Sequence, residues 1–111
     1  MALKAYSGGM IYHLIERSDG ERFENRGTGV FLRGGETFLH CCDERQLKTV
    51  GAGYFPASTD LVALVLDATQ LTDETRYEPG SAGESERFPH LYGPIRPHDV
   101  VRVEPVDFDQ T

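Results

Sequence analysis

The chain has 111 residues, 39% of them hydrophobic and 26% charged, and its 18 acidic and 11 basic side chains give a formal net charge of −7 at pH 7. This length suits a single domain with one core. The negative charge excludes nucleic-acid polymers and anionic membranes as partners, because binding to them needs clustered lysines and arginines.

The cysteines and the N-terminus indicate a cytoplasmic protein. Cys41 and Cys42 are adjacent and are the only cysteines, and a disulfide between strand neighbours would be strained. The stretch "MALKAYSGG" lacks the apolar block of a secretory signal, and no window is apolar over the length of a membrane span. We therefore expect a reducing, cytoplasmic location and no membrane partner.

The N-terminal half is predicted to contain two strands and two helices. Residues 10–16 indicate the first strand, and a capping-box pattern predicts a short helix from Ser18 to about residue 25. Residues 30–36 indicate an extended segment with a turn, and residues 37–42 the second strand. A second capping pattern predicts the best helix of the chain, starting at Asp43.

The C-terminal half is predicted to consist of strands. Residues 60–69 form a nearly continuous apolar stretch, which is typical of a central strand covered on both faces. Further strands are predicted at 75–78, 88–95 and 99–108, and Pro105 places the last one at a sheet edge or bulge. The loop between the first two of these, 79–87, is polar and is a candidate lid.

These elements predict an α+β fold with a small split or bent, mostly antiparallel sheet and one or two helices. We expect a single domain over residues 10–108, with flexible tails at 1–9 and 109–111. The oligomeric state cannot be read from the sequence.

Three of the four histidines lie inside apolar, strand-like stretches: His13 in "MIYHLIE", His40 in "TFLHCCD" and His90 in "ERFPHLYGPI". Each shares its strand face with apolar or aromatic neighbours, where burial favours the neutral imidazole. A neutral imidazole can accept and donate hydrogen bonds or act as a general base. The histidines are therefore either satisfied core residues or the lining of a common cleft. His98, in a polar loop, is expected at the surface.

Two other kinds of site are less favoured by the spacing. Three histidines and Cys42 could form a tetrahedral zinc site, but they come from separate segments without close ligand pairs, and no metal is expected. A cysteine nucleophile is also disfavoured, since both thiols lie in a strand and not at a helix N-terminus.

Arg76 and Glu78 in "TRYEP" face the same way along their strand, with Tyr77 opposite. One interpretation is an exposed ion pair on an edge strand. The other is an anion-binding arginine beside a carboxylate that contacts a ribose hydroxyl or acts as a base. No glycine-rich phosphate loop accompanies them.

The motifs "IYHLIE", "FLHCC", "RYEP" and "FPHLYGPI", in this order, resemble domain-of-unknown-function family 952, a small bacterial family, from about residue 10 to residue 106. The family usually carries a serine or threonine where this chain has Cys42. The resemblance implies an ADP-ribosyltransferase-like fold, a split and bent sheet whose cleft holds the nicotinamide end of NAD.

Carried over to this chain, the resemblance gives His13 the role of the first-strand residue that holds a ribose. It gives His40 the second-strand position, at which the superfamily carries a tyrosine, serine or histidine. A later strand of the superfamily carries a glutamate or a substitute for it, and His90 is the candidate for this third position, with Glu78 as the alternative. A histidine pair without the usual glutamate is similar to the RNA 2′-phosphotransferase branch, although the negative charge argues against an RNA substrate. A shared fold does not by itself establish a shared function.

The resulting hypothesis is a protein that binds NAD, ADP-ribose or a related phosphorylated nucleoside, with an ADP-ribosyl- or phosphotransferase-like activity. The candidate catalytic residues are His13, His40, His90 and Glu78. The candidate ligand-binding residues are Arg76 as an anion contact, Tyr92 as a stacking ring, Cys42 and Tyr12. A non-catalytic ligand sensor or protein-interaction module, and a histidine metal site, are the alternatives.

Overall fold

Six β-strands and two α-helices make up the part of the chain that the computed structural model describes, residues 9–27, 29–32, 34–54, 60–80 and 85–106. In chain order they are β1 (Met10–Glu16), α1 (Arg17–Arg26), β2 (Leu39–His40), α2 (Leu47–Tyr54), β3 (Leu61–Asp67), β4 (Thr75–Pro79), β5 (Arg87–Leu91) and β6 (Val100–Val106). The fold is α+β, as predicted. Apart from buried Gly9, the predicted tails lie outside the described residues, and so does the centre of the candidate lid, 81–84.

The strands form two antiparallel, three-stranded sheets, ordered β1-β3-β6 and β2-β5-β4. The central strand β3 is buried from Leu61 to Leu66, which confirms the prediction drawn from its apolar run. Strand β6 lies at an edge, with Pro105 in it and a register shift opposite Val65 and Leu66. This confirms the edge position that Pro105 predicts.

The two sheets meet at Cys42, where the second predicted strand changes partner. Cys41 N–H donates to Pro89 O of β5 (3.0 Å), whereas Cys42 and Tyr12 of β1 exchange two backbone hydrogen bonds of 2.8 Å. The predicted strand over 37–42 is therefore too long: β2 covers Leu39–His40. Its shortness reflects this switch, because successive backbone groups point toward opposite neighbours.

Apolar side chains fill both faces of the first sheet. One cluster lies between the two sheets and α1, and contains Ile11, Phe23, Leu39, Cys41, Leu64, Leu66, Leu91 and Ile95. The other lies on the opposite face, and contains Tyr12, Leu14, Cys42, Ala63 and Val65, with Leu47 and Val50 of α2 against it. Helix α1 approaches β3 at Gly20, where a Cβ would lie 2.7 Å from Val62 Cγ2.

The helix boundaries follow the caps only in part. The predicted start of α1 at Ser18 is wrong: the helix begins at Arg17, without a side-chain cap. It ends at Arg26, and the following Gly27 has φ +64° and donates its backbone N–H to Phe23 O. The second capping pair forms, because Asp43 N–H donates to Gln46 Oε1 (3.0 Å) ahead of a 3₁₀ turn and α2. Among the described residues, no helix is long and apolar enough to cross a membrane.

Candidate functional site

Polar and aromatic side chains cover one face of the second sheet. The register sets His40 opposite His90, and His90 opposite Arg76, so these three residues share that face. The other face carries Leu39 and Leu91, which are buried in the core. Alternation along the strands thus separates a core face from a face with ionisable groups.

Glu78 holds two neighbours through one carboxylate oxygen. His90 Nδ1 lies 2.9 Å from Glu78 Oε1, and Tyr92 Oη donates to the same oxygen at 2.5 Å. These bonds from Tyr92 and His90 lower the pKa of Glu78 below its ordinary value, and the carboxylate raises the pKa of Tyr92. Because an ionised carboxylate only accepts, Nδ1 carries a proton, and in the neutral form of the ring Nε2 is an acceptor.

His90 Nε2 is buried and has no hydrogen-bond partner among the described residues. The ring of Phe38 stacks on the imidazole, with centroids 4.0 Å apart and planes 10° apart, and it lies 5.3 Å from the Tyr92 ring. A buried polar atom without a partner costs about 1–3 kcal/mol. The structure therefore contains a fixed, desolvated acceptor under an aromatic cover.

Arg76 contacts the same group but pairs with a different carboxylate from the predicted one. Its guanidinium lies over the Tyr92 ring, 4.5 Å from the centroid, and its Nε is 3.0 Å from Glu74 Oε2. The interpretation of an Arg76–Glu78 ion pair is wrong, because Glu78 is turned inward to His90 and Tyr92. Arg76 is exposed on an edge strand, as predicted.

His13 and His40 line a cavity of about 290 Å³ beside this face. His13 Nδ1 donates to the backbone oxygen of His40 over 2.7 Å. Loss of water around each ring lowers the pKa of His13 and of His40, and the neighbouring His90 lowers that of His40 further. Both imidazoles are therefore neutral at neutral pH.

The structure divides the eight candidate residues into two groups. Tyr12, His13, His40 and Cys42 line the cavity, whereas Arg76, Glu78, His90 and Tyr92 form the cluster around the carboxylate. His40 connects the groups, since its ring centroid lies 5.5 Å from that of His90. The three histidines are thus close together, but His90 is buried and is not part of the cavity wall.

The cysteines do not supply a reactive thiol. Both are buried and free, and burial raises the pKa of Cys41 and raises that of Cys42 to about 12. Within the described ranges, no three side chains of histidine, cysteine, aspartate or glutamate are arranged to hold a metal ion. His98 is exposed, as predicted.

Two residues at this site received no role from the sequence. Phe38 covers His90, and Glu36 lines the cavity next to His40. Alternation in the sequence already places Phe38 on the face of His40, although it gave Phe38 no role. One further step of two residues along the same segment reaches Glu36.

The fold and the site define a small α+β protein with a histidine- and aromatic-rich sheet face beside a cavity. The chain belongs to the family described as "Protein of unknown function (DUF952)", whose model matches residues 15–103. The family resemblance seen in the sequence is therefore confirmed.

Solved structures of protein CC0527 from Caulobacter crescentus share the fold. The crystal structure is 27% identical, with a TM-score of 0.71, over 91% of this chain and 89% of that one. The solution NMR structure is also 27% identical, with a TM-score of 0.72, over 92% and 88%. None of the curated proteins compared with the chain matches it.

Proposed function

We propose that this protein binds a small nucleotide-like ligand of the NAD or ADP-ribose class at the His40–His90 face, on an ADP-ribosyltransferase-like fold. The observation that carries the proposal is the Glu78 carboxylate, which fixes His90 Nδ1 and leaves Nε2 as a buried acceptor with no hydrogen-bond partner in the part of the chain that the structure describes. A carboxylate-oriented imidazole is the usual arrangement of a histidine that accepts a proton or a hydrogen bond from a ligand.

The planar rings of the face fit a heterocycle and its sugar. Phe38 and Tyr92 offer aromatic surfaces, and His13 and His40 offer neutral imidazoles at the cavity wall. The cavity volume of about 290 Å³ lies near the lower end for small-molecule sites. It suits one nucleoside moiety, with the remainder of a dinucleotide extending over the exposed sheet face.

The local charge limits how many phosphates the site can hold. Among the described side chains of the Glu78–Tyr92 cluster, Arg76 is the cation, and it is shared with Glu74. Glu36 adds a carboxylate at the cavity. A phosphate group would contact Arg76 after displacing Glu74, and a longer polyanion such as RNA would be repelled.

His90 is the proposed acid–base residue. A ligand hydroxyl that reaches Nε2 would donate its hydrogen bond there, and transfer of that proton would give an imidazolium facing the ionised Glu78. The carboxylate stabilises this charged form and keeps the ring oriented. In the same scheme His13 and His40 orient the sugar and ring through hydrogen bonds and do not exchange protons.

The test is a thermal-unfolding titration of the wild-type protein with NAD, ADP-ribose and nicotinamide. A ligand that binds the folded state raises its stability by about 2.7 kcal/mol at 100 times the dissociation constant. We expect NAD or ADP-ribose to raise the midpoint in wild type and in the exposed-site control His98→Ala, but not in His40→Ala or His90→Ala. No rise in wild type with any of the three would contradict the proposal.

A second measurement separates an enzyme from a binding module. Release of nicotinamide from NAD is followed in the same variants. A further variant, His90→Gln, keeps a side chain that can accept a hydrogen bond from the ligand. Turnover that His90→Gln abolishes at saturating NAD, while His98→Ala keeps it, supports the acid–base role. Binding without any release supports a ligand sensor instead.

A further inference from the structure

Tyr92, directly after β5, contacts three residues that lie two positions apart at the start of β4 and along it. Its backbone N–H donates to Glu74 O over 2.8 Å, and its Oη donates to Glu78 Oε1 at 2.5 Å. Between these two contacts, the Arg76 guanidinium lies over the ring, 4.5 Å from the centroid. Side chains two positions apart on a strand point the same way. One tyrosine therefore contacts the whole row of charged groups on this side of the edge strand.

The hydroxyl of Tyr92 helps to hold Glu78 against His90. Tyr92 Oη and His90 Nδ1 both bond to the same carboxylate oxygen, Oε1. The bond from Tyr92 is the largest cause of the lowered pKa of Glu78, ahead of the bond from His90. Hydrogen bonds to an ionised acceptor are the strong ones. The carboxylate therefore cannot move away from the imidazole without losing both donors.

The ring of Tyr92 helps to hold Arg76. The arginine side chain is half exposed, and its Nε lies 3.0 Å from Glu74 Oε2. A long exposed side chain loses rotamer freedom when it is held in one place, and attraction of the guanidinium to an aromatic face offsets part of that loss. The ring and Glu74 together therefore favour one position of the cation.

Tyr92 itself is well fixed. Its backbone bond to Glu74 anchors it beside β4, and the Phe38 ring lies 5.3 Å from its own ring. The distance between the aromatic face and the hydroxyl is set by covalent geometry. Arg76 and Glu78, which contact these two parts of one side chain, are thus kept at a constant separation.

We propose that Tyr92 is a positioning residue that holds the anion contact Arg76 and the acid–base pair Glu78–His90 at a fixed separation, so that the site selects a sugar carrying both a hydroxyl donor and a phosphate. The inference rests on the proposed function and adds the ligand class, a nucleoside monophosphate unit in preference to the free nucleoside. Tyr92 acts through its neighbours and not on the reacting atoms.

The role of the hydroxyl is tested without any ligand by ¹³C NMR titration of the Glu78 carboxyl group. The charged and titratable groups that act on this carboxyl group or on its neighbour are Tyr92, His90, Arg76 and Glu74. We expect Tyr92→Phe to raise the pKa of Glu78 toward its ordinary value, because the principal hydrogen bond is lost. The control Tyr77→Phe removes a hydroxyl from the opposite face of β4 and should leave this pKa as in wild type. An unchanged pKa in Tyr92→Phe would overturn the proposal.

The role of the ring is tested by the NMR shift of the Arg76 Nε proton, since protons over an aromatic face are shifted upfield. Tyr92→Phe should keep the wild-type shift, whereas Tyr92→Leu should move it downfield. Arg102, which pairs with Glu104 on β6, is the internal control and should not change. Equal shifts of Arg76 in the two variants would contradict a positioning role of the ring. Circular dichroism checks the fold, and Tyr92→Met replaces Tyr92→Leu if the latter unfolds.

The ligand class is tested by calorimetric titration with nicotinamide mononucleotide and nicotinamide riboside, which differ by one phosphate. Wild type should bind the mononucleotide more tightly. Tyr92→Phe should weaken both ligands alike and keep this preference, because the cation stays in place. Tyr92→Leu should reduce the preference about two- to fivefold, the equivalent of one exposed cation–π contact. Equal affinity of wild type for the two compounds, or an unaltered preference in Tyr92→Leu, would overturn the selection.

The outcomes separate this inference from the function on which it rests. Failure of wild type to bind NAD or either nicotinamide compound contradicts the proposed function, and the ligand class falls with it. The two ligand-free measurements decide the positioning role of Tyr92 in either case. Binding of NAD by wild type, together with unchanged Glu78 and Arg76 signals in the Tyr92 variants, keeps the proposed function and overturns the positioning role.

Discussion

At the scale of single residues, Glu78 determines the chemistry of the sheet face. One of its oxygens accepts hydrogen bonds from both His90 and Tyr92, and the nearby Arg76 adds a favourable charge. The carboxylate thereby fixes which nitrogen of His90 is protonated and how its ring is oriented. The acceptor property of Nε2, on which the proposed function depends, is a consequence of this one contact.

We predict that Glu78→Gln lowers the thermal midpoint by a few degrees at pH 7. The pKa of Glu78 is lowered in the folded state, so its contribution is present above the ordinary value near 4.5 and is lost as the pH falls through the folded pKa. Unfolding curves of both proteins between pH 7 and pH 3 should therefore converge at the acidic end. Glu24→Gln, at an exposed position of α1, is the control. A difference in midpoint between wild type and Glu78→Gln that stays constant from pH 7 to pH 3 would show that ionisation of Glu78 does not contribute to stability.

Residue-level reasoning from the sequence found the histidines but not their partners. Strand alternation placed His40 and His90 among aromatic neighbours, and the structure brings their rings within 5.5 Å. It could not show that Glu78 turns to His90 and not to Arg76, since both directions satisfy the same alternation. Whether Glu78 reaches His90 depends on how β4 pairs with β5, and the local sequence around Glu78 does not contain that cross-strand register.

At the scale of elements, Gln46 connects the start of α2 to the start of β5. Its Nε2 donates to Glu86 Oε2 and to Arg87 O, each over 2.9 Å, and its Oε1 accepts from Asp43 N–H. The side chain is buried. One amide thus satisfies groups on two elements that are far apart in the sequence.

We predict that Gln46→Ala destabilises the protein by about 2–3 kcal/mol, because the three hydrogen bonds of this buried side chain are lost and each contributes about 1 kcal/mol. The matched control is Gln70→Ala, at an exposed position, which should change stability by about 0.5 kcal/mol or less. Urea unfolding at pH 7 measures both. Equal effects of the two substitutions would contradict the connecting role of Gln46.

The elements differ in how well the sequence predicts them. β1, β3 and the Asp43–Gln46 cap are encoded locally, by alternation, by an apolar run and by a capping pair, and all three form. β2 is not encoded locally, because the partner switch at Cys42 depends on where Tyr12 lies in the folded protein. A local pattern cannot distinguish one six-residue strand from a two-residue strand and a bridge.

At the scale of the whole molecule, two of the histidines make the stability of the folded state depend on pH. His13 and His40 both have lowered pKa values because their rings lose water, with Glu36 opposing this effect in each case. In the unfolded chain their pKa values return to about 6.5. The unfolded state therefore binds protons first as the pH falls, and stability decreases below about pH 6.5.

We predict that His13→Asn reduces this loss of stability on acidification from pH 7.5 to pH 5.5. The asparagine amide can still donate to His40 O, as His13 Nδ1 does, so the hydrogen bond is kept while the titrating group is removed. His98→Asn, at an exposed position, should leave the pH dependence unchanged. The thermal midpoint measured across this range is the readout, and an unaltered slope in His13→Asn would contradict the assignment.

The overall architecture was predictable and the arrangement of the site was not. Composition and strand patterns predict an α+β fold with antiparallel strands, and the structure has two such sheets. The division of the candidate residues between the cavity and the cluster around Glu78 follows from how the sheets meet at Tyr12 and Cys42. That contact joins segments about 30 residues apart, and periodicity within a strand carries no information about it.

The central claim is that a nucleotide-like ligand binds at the His40–His90 face. An NMR titration of ¹⁵N-labelled protein with NAD tests it most directly, because each backbone amide reports its own position. The account predicts concentration-dependent shifts at Phe38, His40, His90 and Tyr92, and none at Phe31 or His98. Shifts centred on the separate groove around Phe23 and Phe31, or no shifts at saturating NAD, would contradict it.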